Sequence, residues 1–242
     1  MDWRSADDYT FCAALTRDQW AWEFLRRNPD YRADYGRFID LWRALEAEYG
    51  APPTRDFQRW KRDPRAYGPL PGAASESLDG ATGELCVGED ERVLIECWIG
   101  AKWGFHKFPV DPARNTPPTP EELSWRPPPQ AMPRPEGDLY RLDFAFDLAH
   151  PLPPQLEAAR FRLVSRSAEL RRAGLPAPYT VANQRERWTR WLRILDAHAS
   201  AADRSEMQEY GLCGDGEDCV KALAAAQAMA RKGYLDILNL AG

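Results

Sequence analysis

The residues of this 242-residue chain that could do chemistry are three histidines, five cysteines and two adjacent acidic pairs. His106, His150 and His198 lie far apart in sequence, and none stands in a recognisable order with a serine or cysteine that it could activate as a base. Cys213 and Cys219, with His198, Asp215 and Asp218 nearby, come closest to a metal set, but zinc-binding cysteines usually stand about two to four residues apart. An odd number of cysteines in a chain long enough to build a core without staples points to reduced thiols. Glu121/Glu122 and Glu217/Asp218 are neighbours in sequence, so their side chains diverge and do not pair for acid–base work. Glycine-rich phosphate loops, Gly-x-Ser-x-Gly elbows and His-Glu-x-x-His pairs are missing. The expectation is a protein that is not an enzyme, with no catalytic residue, metal or cofactor.

Binding is the alternative, and charge says where. The net charge of -5 argues against a surface coated with nucleic acid, but it hides an asymmetry. Residues 155–193 carry nine arginines against three glutamates, whereas residues 194–242 carry eight acidic residues against four basic ones. A phosphate grip should centre on the first stretch.

The elements that must position these charges are mostly helical. Three N-terminal helices are expected, starting after Ser5, after Thr16 with Gln19 as a capping box, and after Asn28 with Pro29 in the first turn. In the third, Phe38, Trp42, Leu45 and Tyr49 recur at helical period, and Trp20, Trp22 and Phe24 are expected to complete the same small core. Residues 63–83 lack periodicity and read as a linker. Residues 92–98 (RVLIECW) and 105–110 read as a β-hairpin, with a third strand at 139–148. Between them, residues 112–135 hold nine prolines, which favours extended backbone. A helix over 155–173 should bury Leu156, Ala159, Leu163, Val164 and Leu170. A further helix carrying Trp188, Trp191, Leu192 and Leu195, a short one at 203–210 and a longer one at 217–232 follow, with Gly211 and Gly214 in the last turn. That layout is helix-turn-helix-like.

The fold class is therefore mainly α with a small β-hairpin or sheet in the middle. The expected divisions are a helical domain at 1–62, a linker at 63–84, a strand- and proline-rich segment at 85–154, and a helical region at 155–242 ending in the three-helix domain. With no apolar run near the roughly 18 residues of a membrane span and no leader-like start, a cytoplasmic location without membrane contact is expected.

Two stretches carry a resemblance. WRSADDY at 3–9 and AWEFLRRNPDYRADY at 21–35 resemble the proteobacterial transcriptional-regulator-like N-terminal domain. LDAHASAADRSEMQEYGLCG at 195–214 and ARKGYLDIL at 230–238 resemble the helix-turn-helix variant domain of activators and antiactivators of conjugative-element transfer. WGFHKFPVDP at 103–112 and FDLAHPLPPQLEAA at 146–159 resemble the part that links the two. The family order Ser-Arg-Glu in the second helix becomes Arg204, Ser205, Glu206 here.

The resemblance implies a regulator that binds promoter DNA, or that binds another regulator. On the DNA reading, Arg160, Arg166, Arg185, Arg187 and Arg190 grip phosphates, and Arg204, Ser205, Lys221, Arg231 and Lys232 lie near the groove. RNA polymerase or a second regulator would be further partners, and a dimer is the arrangement common among such proteins. On the other reading Glu217 and Asp218, which open the third helix where DNA readers place groups for bases, belong to an acidic face that binds protein.

Overall fold

The computed structural model describes residues 1–72, 92–106, 108–114, 116–126, 142–174, 180–214 and 216–240. The backbone divides into two units, one of Met1–Gln130 with Thr180–Gly242 and one of Ala131–Tyr179. The described residues are mainly helical.

In the first unit a 3-10 helix, Asp7–Ala14, leads into α1 (Arg17–Leu25). Thr16 and Gln19 close the expected capping box, the Thr16 hydroxyl accepting from the Gln19 amide and the Gln19 side chain accepting from the Thr16 amide. Ser5 contributes no cap to the 3-10 helix. Asn28 caps α2 (Pro29–Tyr49), its side chain accepting from the Asp30 and Tyr31 amides. The short α3 (Phe57–Trp60) then packs Trp60 against Trp42, with ring centroids 5.0 Å apart, and against Tyr49.

The aromatic residues of α1 share a core with Phe38 of the α2 stripe, as expected, whereas Leu45 and Trp60 form a separate cluster, with Trp42 packed against both. Trp20, Ala21, Trp22, Glu23, Phe24 and Leu25 are all buried, so α1 is covered on every side. A helix without a polar face is a core helix, and its cover must come from elsewhere in the chain. Here it comes from α7 (Val181–Ala199) and from α10 (Tyr234–Ile237). Trp188 of α7 lies 5.3 Å from Trp20 and 6.1 Å, edge-on, from Phe24. Asn28 donates its side-chain amide to the Ala230 carbonyl. Residues near both ends of the sequence thus share one core.

The expected hairpin does not form. Residues 95–102 make α4 (Ile95–Lys102), in which every residue from Ile95 to Ala101 is buried. An apolar run this short has the same signature as a buried strand, and tertiary cover decides between them. Lys102 holds α4 to α2 through an ion pair of 2.9 Å with Asp34, which also accepts from the Trp103 indole. Phe105 forms an isolated antiparallel bridge with Trp125, after α5 (Pro120–Leu123), and stacks on it at 4.5 Å. Gly104 turns the chain just before Phe105, at a φ of +86°, and lets Leu235 pack close, since a Cβ there would stand 2.9 Å from that side chain. Among the described residues no sheet forms. Residues 63–72, expected to begin a linker, are anchored by buried Ala66, Tyr67 and Leu70; residues 73–91 lie outside the described residues. So do 139–141 of the expected third strand, and its described remainder, up to the turn at 147, has no regular structure.

In the second unit, α6 spans Leu152–Arg172. Gln155 fixes its start by donating to the Asp147, His150 and Pro151 carbonyls and accepting from the Asp147 amide. Of the residues expected to face inward, only Ala159 is buried, Leu170 is half-buried, and Leu156, Leu163 and Val164 are exposed.

Candidate nucleic-acid interface

The three helices that follow in the first unit are α7, α8 (Arg204–Glu209) and α9 (Gly216–Ala228). Each of the first two opens on a capping box, Thr180 with Asn183 and Asp203 with Glu206. They close on a small cluster of Ile194 and Ala197 from α7, Met207 from α8, Leu212 from the turn and Ala222 from α9. The sequence gives this layout through the Asp203 cap and the glycines of the turn, and Gly211 indeed sits at φ +67°.

The sixth member of the cluster is Trp3, which sequence reasoning missed. It is 2% exposed and meets Tyr210 edge-on at 5.4 Å. Arg4 stacks on it and donates to Glu206 of α8 at 2.9 Å. Arg193 of α7 donates to the Trp3 and Arg4 carbonyls, so this arginine is committed to structure. Tyr9 donates its hydroxyl to Asp196 at 2.6 Å. Burial first, and then the Asp196 charge, pushes the Tyr9 phenol far above its usual range. The only sequence clue was that an exposed N-terminus has little use for Trp3 and Tyr9 in one heptapeptide.

Below this clamp lies an ion network. Arg27 donates two bonds to Asp196, at 2.8 and 2.9 Å, and a third to Glu23 at 2.5 Å. Burial lowers the Arg27 pKa, but Asp196 and Glu23 outweigh it and raise it overall. Arg26 makes a looser contact with Glu23, at 3.4 Å, and burial lowers its pKa.

The turn into α9 is stapled twice. Cys213 and Cys219 form a disulfide with Cα atoms 5.0 Å apart, and Asp218 accepts from the Gly214 amide at 2.6 Å. The expectation of reduced thiols is corrected for this pair, since the fold of the turn brings Cα atoms within bridging range and sequence spacing alone conceals it. Cys12 and Cys97 are buried, burial pushing the Cys12 thiol up to about 11, and Cys86 lies outside the described residues. Among the described residues no group of histidine, cysteine and acidic side chains could hold a metal ion. Asp218 is exposed, yet its carboxylate serves the turn; the Glu217 side chain lies outside what is described.

The basic candidates are divided between the units. Arg185, Arg187 and Arg190 are exposed on α7, Arg204 and Ser205 on the first turn of α8, Lys221 on α9, and Arg231 and Lys232 on the π-helical turn Met229–Gly233. Arg187 also bonds Gln184 and lies over the Trp191 ring at 5.2 Å. Arg160 and Arg166 belong to α6 in the other unit, paired with Glu157 at 3.0 Å and Glu169 at 3.1 Å. The basic stretch at 155–193 is therefore not one surface element.

Trp3, Tyr9, the whole of α1 and the start of α2 are the parts of this arrangement that the sequence places in one early segment. Residues 2–61 match the proteobacterial transcriptional regulator-like domain. The match covers the 3-10 helix, α1, α2 and α3 but not the helices that bury α1, and it points to a regulatory role. No curated protein and no solved structure matches the chain. Among the described residues no helix is long and apolar enough to cross a membrane.

Proposed function

We propose that this chain regulates transcription by binding double-stranded DNA through α8 and α9, with α7 supplying phosphate contacts. The observation that carries the reading is the three-helix cluster itself: a short α8, a tight turn and an α9 whose outer side presents Val220, Lys221, Ala224 and Ala228. Small side chains let a helix approach base edges closely, alanine can meet a thymine methyl, and lysine can reach guanine. Arg204 and Ser205 open α8, the helix that crosses the backbone in such folds. The regulator-like match at 2–61 supports the same role.

The test is fluorescence anisotropy of the protein with a pool of genomic duplexes at low and physiological salt. Each neutralised phosphate contributes a slope of about -0.9 in log K against log salt. Replacing Arg185, Arg187 and Arg190 together by alanine is expected to flatten that slope by about 2.7. Salt-independent binding, or none at either salt, overturns the DNA reading.

A second reading, a protein-binding antiactivator, adaptor or inhibitor, is favoured by Val220, which is 46% exposed beside the acidic first turn of α9. Glu217→Lys with Asp218→Asn separates the two, because asparagine keeps an acceptor for the Gly214 amide. Tighter DNA binding by this variant is expected if α9 faces phosphates. Unchanged DNA binding would place α9 away from the duplex and favour the protein partner.

A further inference from the structure

We propose that α6 carries a docking seam for an acidic amphipathic helix of another protein, an assignment independent of the DNA reading. Leu152, Leu156, Ala159, Leu163 and Leu170 recur at intervals of four, three, four and seven along α6, which places them on one narrow stripe of the helix. Leu152, Leu156 and Leu163 are 43%, 55% and 51% exposed. The rest of the unit leans on other sides of the helix: Arg162 lies over Phe144 at 5.7 Å, and Leu142 meets Phe161, Ser165 and Glu169 in a shallow groove. Among the described residues Ala159 is the one buried position of the stripe, Leu170 is half-buried, and the three leucines at 152, 156 and 163 are left exposed.

Charge selects the occupant. Arg160 and Arg171 border the stripe on one side, Arg162 and Arg166 on the other, and α6 as a whole holds five arginines against two glutamates. The glutamates pair within the helix, with Arg160 and Arg166. A second copy of α6 would set arginine rows against arginine rows, and like charges at the flanks of a helical seam oppose pairing. A lipid surface favours an apolar face of about 100° or more with charge confined to the far side, whereas this stripe is narrower and the far side carries Phe161 and Glu157. A helix with leucine in its seam and glutamate at its flanks meets both the shape and the charge.

The probe is a labelled 21-residue peptide of three heptads with leucine in the seam and glutamate at the flanking positions, titrated with the full chain. A control peptide carries lysine at the flanks. The glutamate peptide is expected to bind at least ten-fold more tightly than the lysine peptide. Leu156→Asp with Leu163→Asp, both at exposed positions, should weaken it at least ten-fold while the thermal midpoint of the protein stays unchanged. Arg160→Glu with Arg171→Glu should shift the preference toward the lysine peptide, a gain that a misfolded variant does not give. Equal affinity for both peptides, or binding to neither, overturns the proposal. So does tighter binding to phosphatidylglycerol vesicles, or a dimer in light scattering that the leucine variant dissolves.

Discussion

A fragment of residues 1–62 is expected to show no cooperative thermal transition, although it contains the whole regulator-like match. Trp20, Trp22 and Phe24 are fully buried, and part of their cover is Trp188, Leu192, Tyr234 and Ile237, all absent from the fragment. Aromatic side chains bury about 150–250 Å² each. Uncovering half of that area on three of them costs on the order of 7 kcal/mol at ~25 cal/mol per Å². That is comparable with the entire stability of an ordinary domain, about 5–15 kcal/mol. Far-UV circular dichroism with dye binding would read the result: a broad melt and exposed apolar surface are expected, and a sharp two-state melt would show that the segment folds alone.

Arg27→Ala is expected to destabilise the full chain by about 3–5 kcal/mol, because removing one partner of a buried ion network leaves the others uncompensated. The Arg27 side chain is 4% exposed, and Glu23, at 1%, already has one oxygen without a hydrogen-bond partner. Asp196 is less enclosed and keeps the Tyr9 hydroxyl, so most of the loss falls on Glu23. Pairing the change with Glu23→Gln should recover part of it, which urea denaturation of both variants would measure. A loss under about 1 kcal/mol for Arg27→Ala would mean that water reaches the carboxylates and that the network contributes as little as a surface pair does.

What could be read from the sequence was local. Thr16 with Gln19, Asn28 with Pro29, and Asp203 each form the cap that their residue types demand, and the Trp188, Leu192 and Leu195 stripe of α7 faces the core. What escaped was set by distant partners. α1 has no polar face for periodicity to find, α4 reads equally well as a strand, and Leu156 and Leu163 of α6 look like core residues although they are exposed. For the candidate site, the arginines of α7 named as phosphate contacts and the opening of α8 are exposed, but residues 155–193 cross from one unit to the other. The pairing of Cys213 with Cys219 depends on the path of a turn that spacing does not encode.

Trp3 works as a wedge. It sits among Ile194, Ala197, Met207 and Ala222, roped in by Arg193 on one side and by the Arg4 bridge to Glu206 on the other. Withdrawing it would leave the seat of α8 hollow while the Cys213–Cys219 staple still held the start of α9. The chain thus has a handle about two hundred residues upstream of α8 in sequence, by which a load on its first few residues, from a fused tag or a bound protein, is passed directly to α7 and α8.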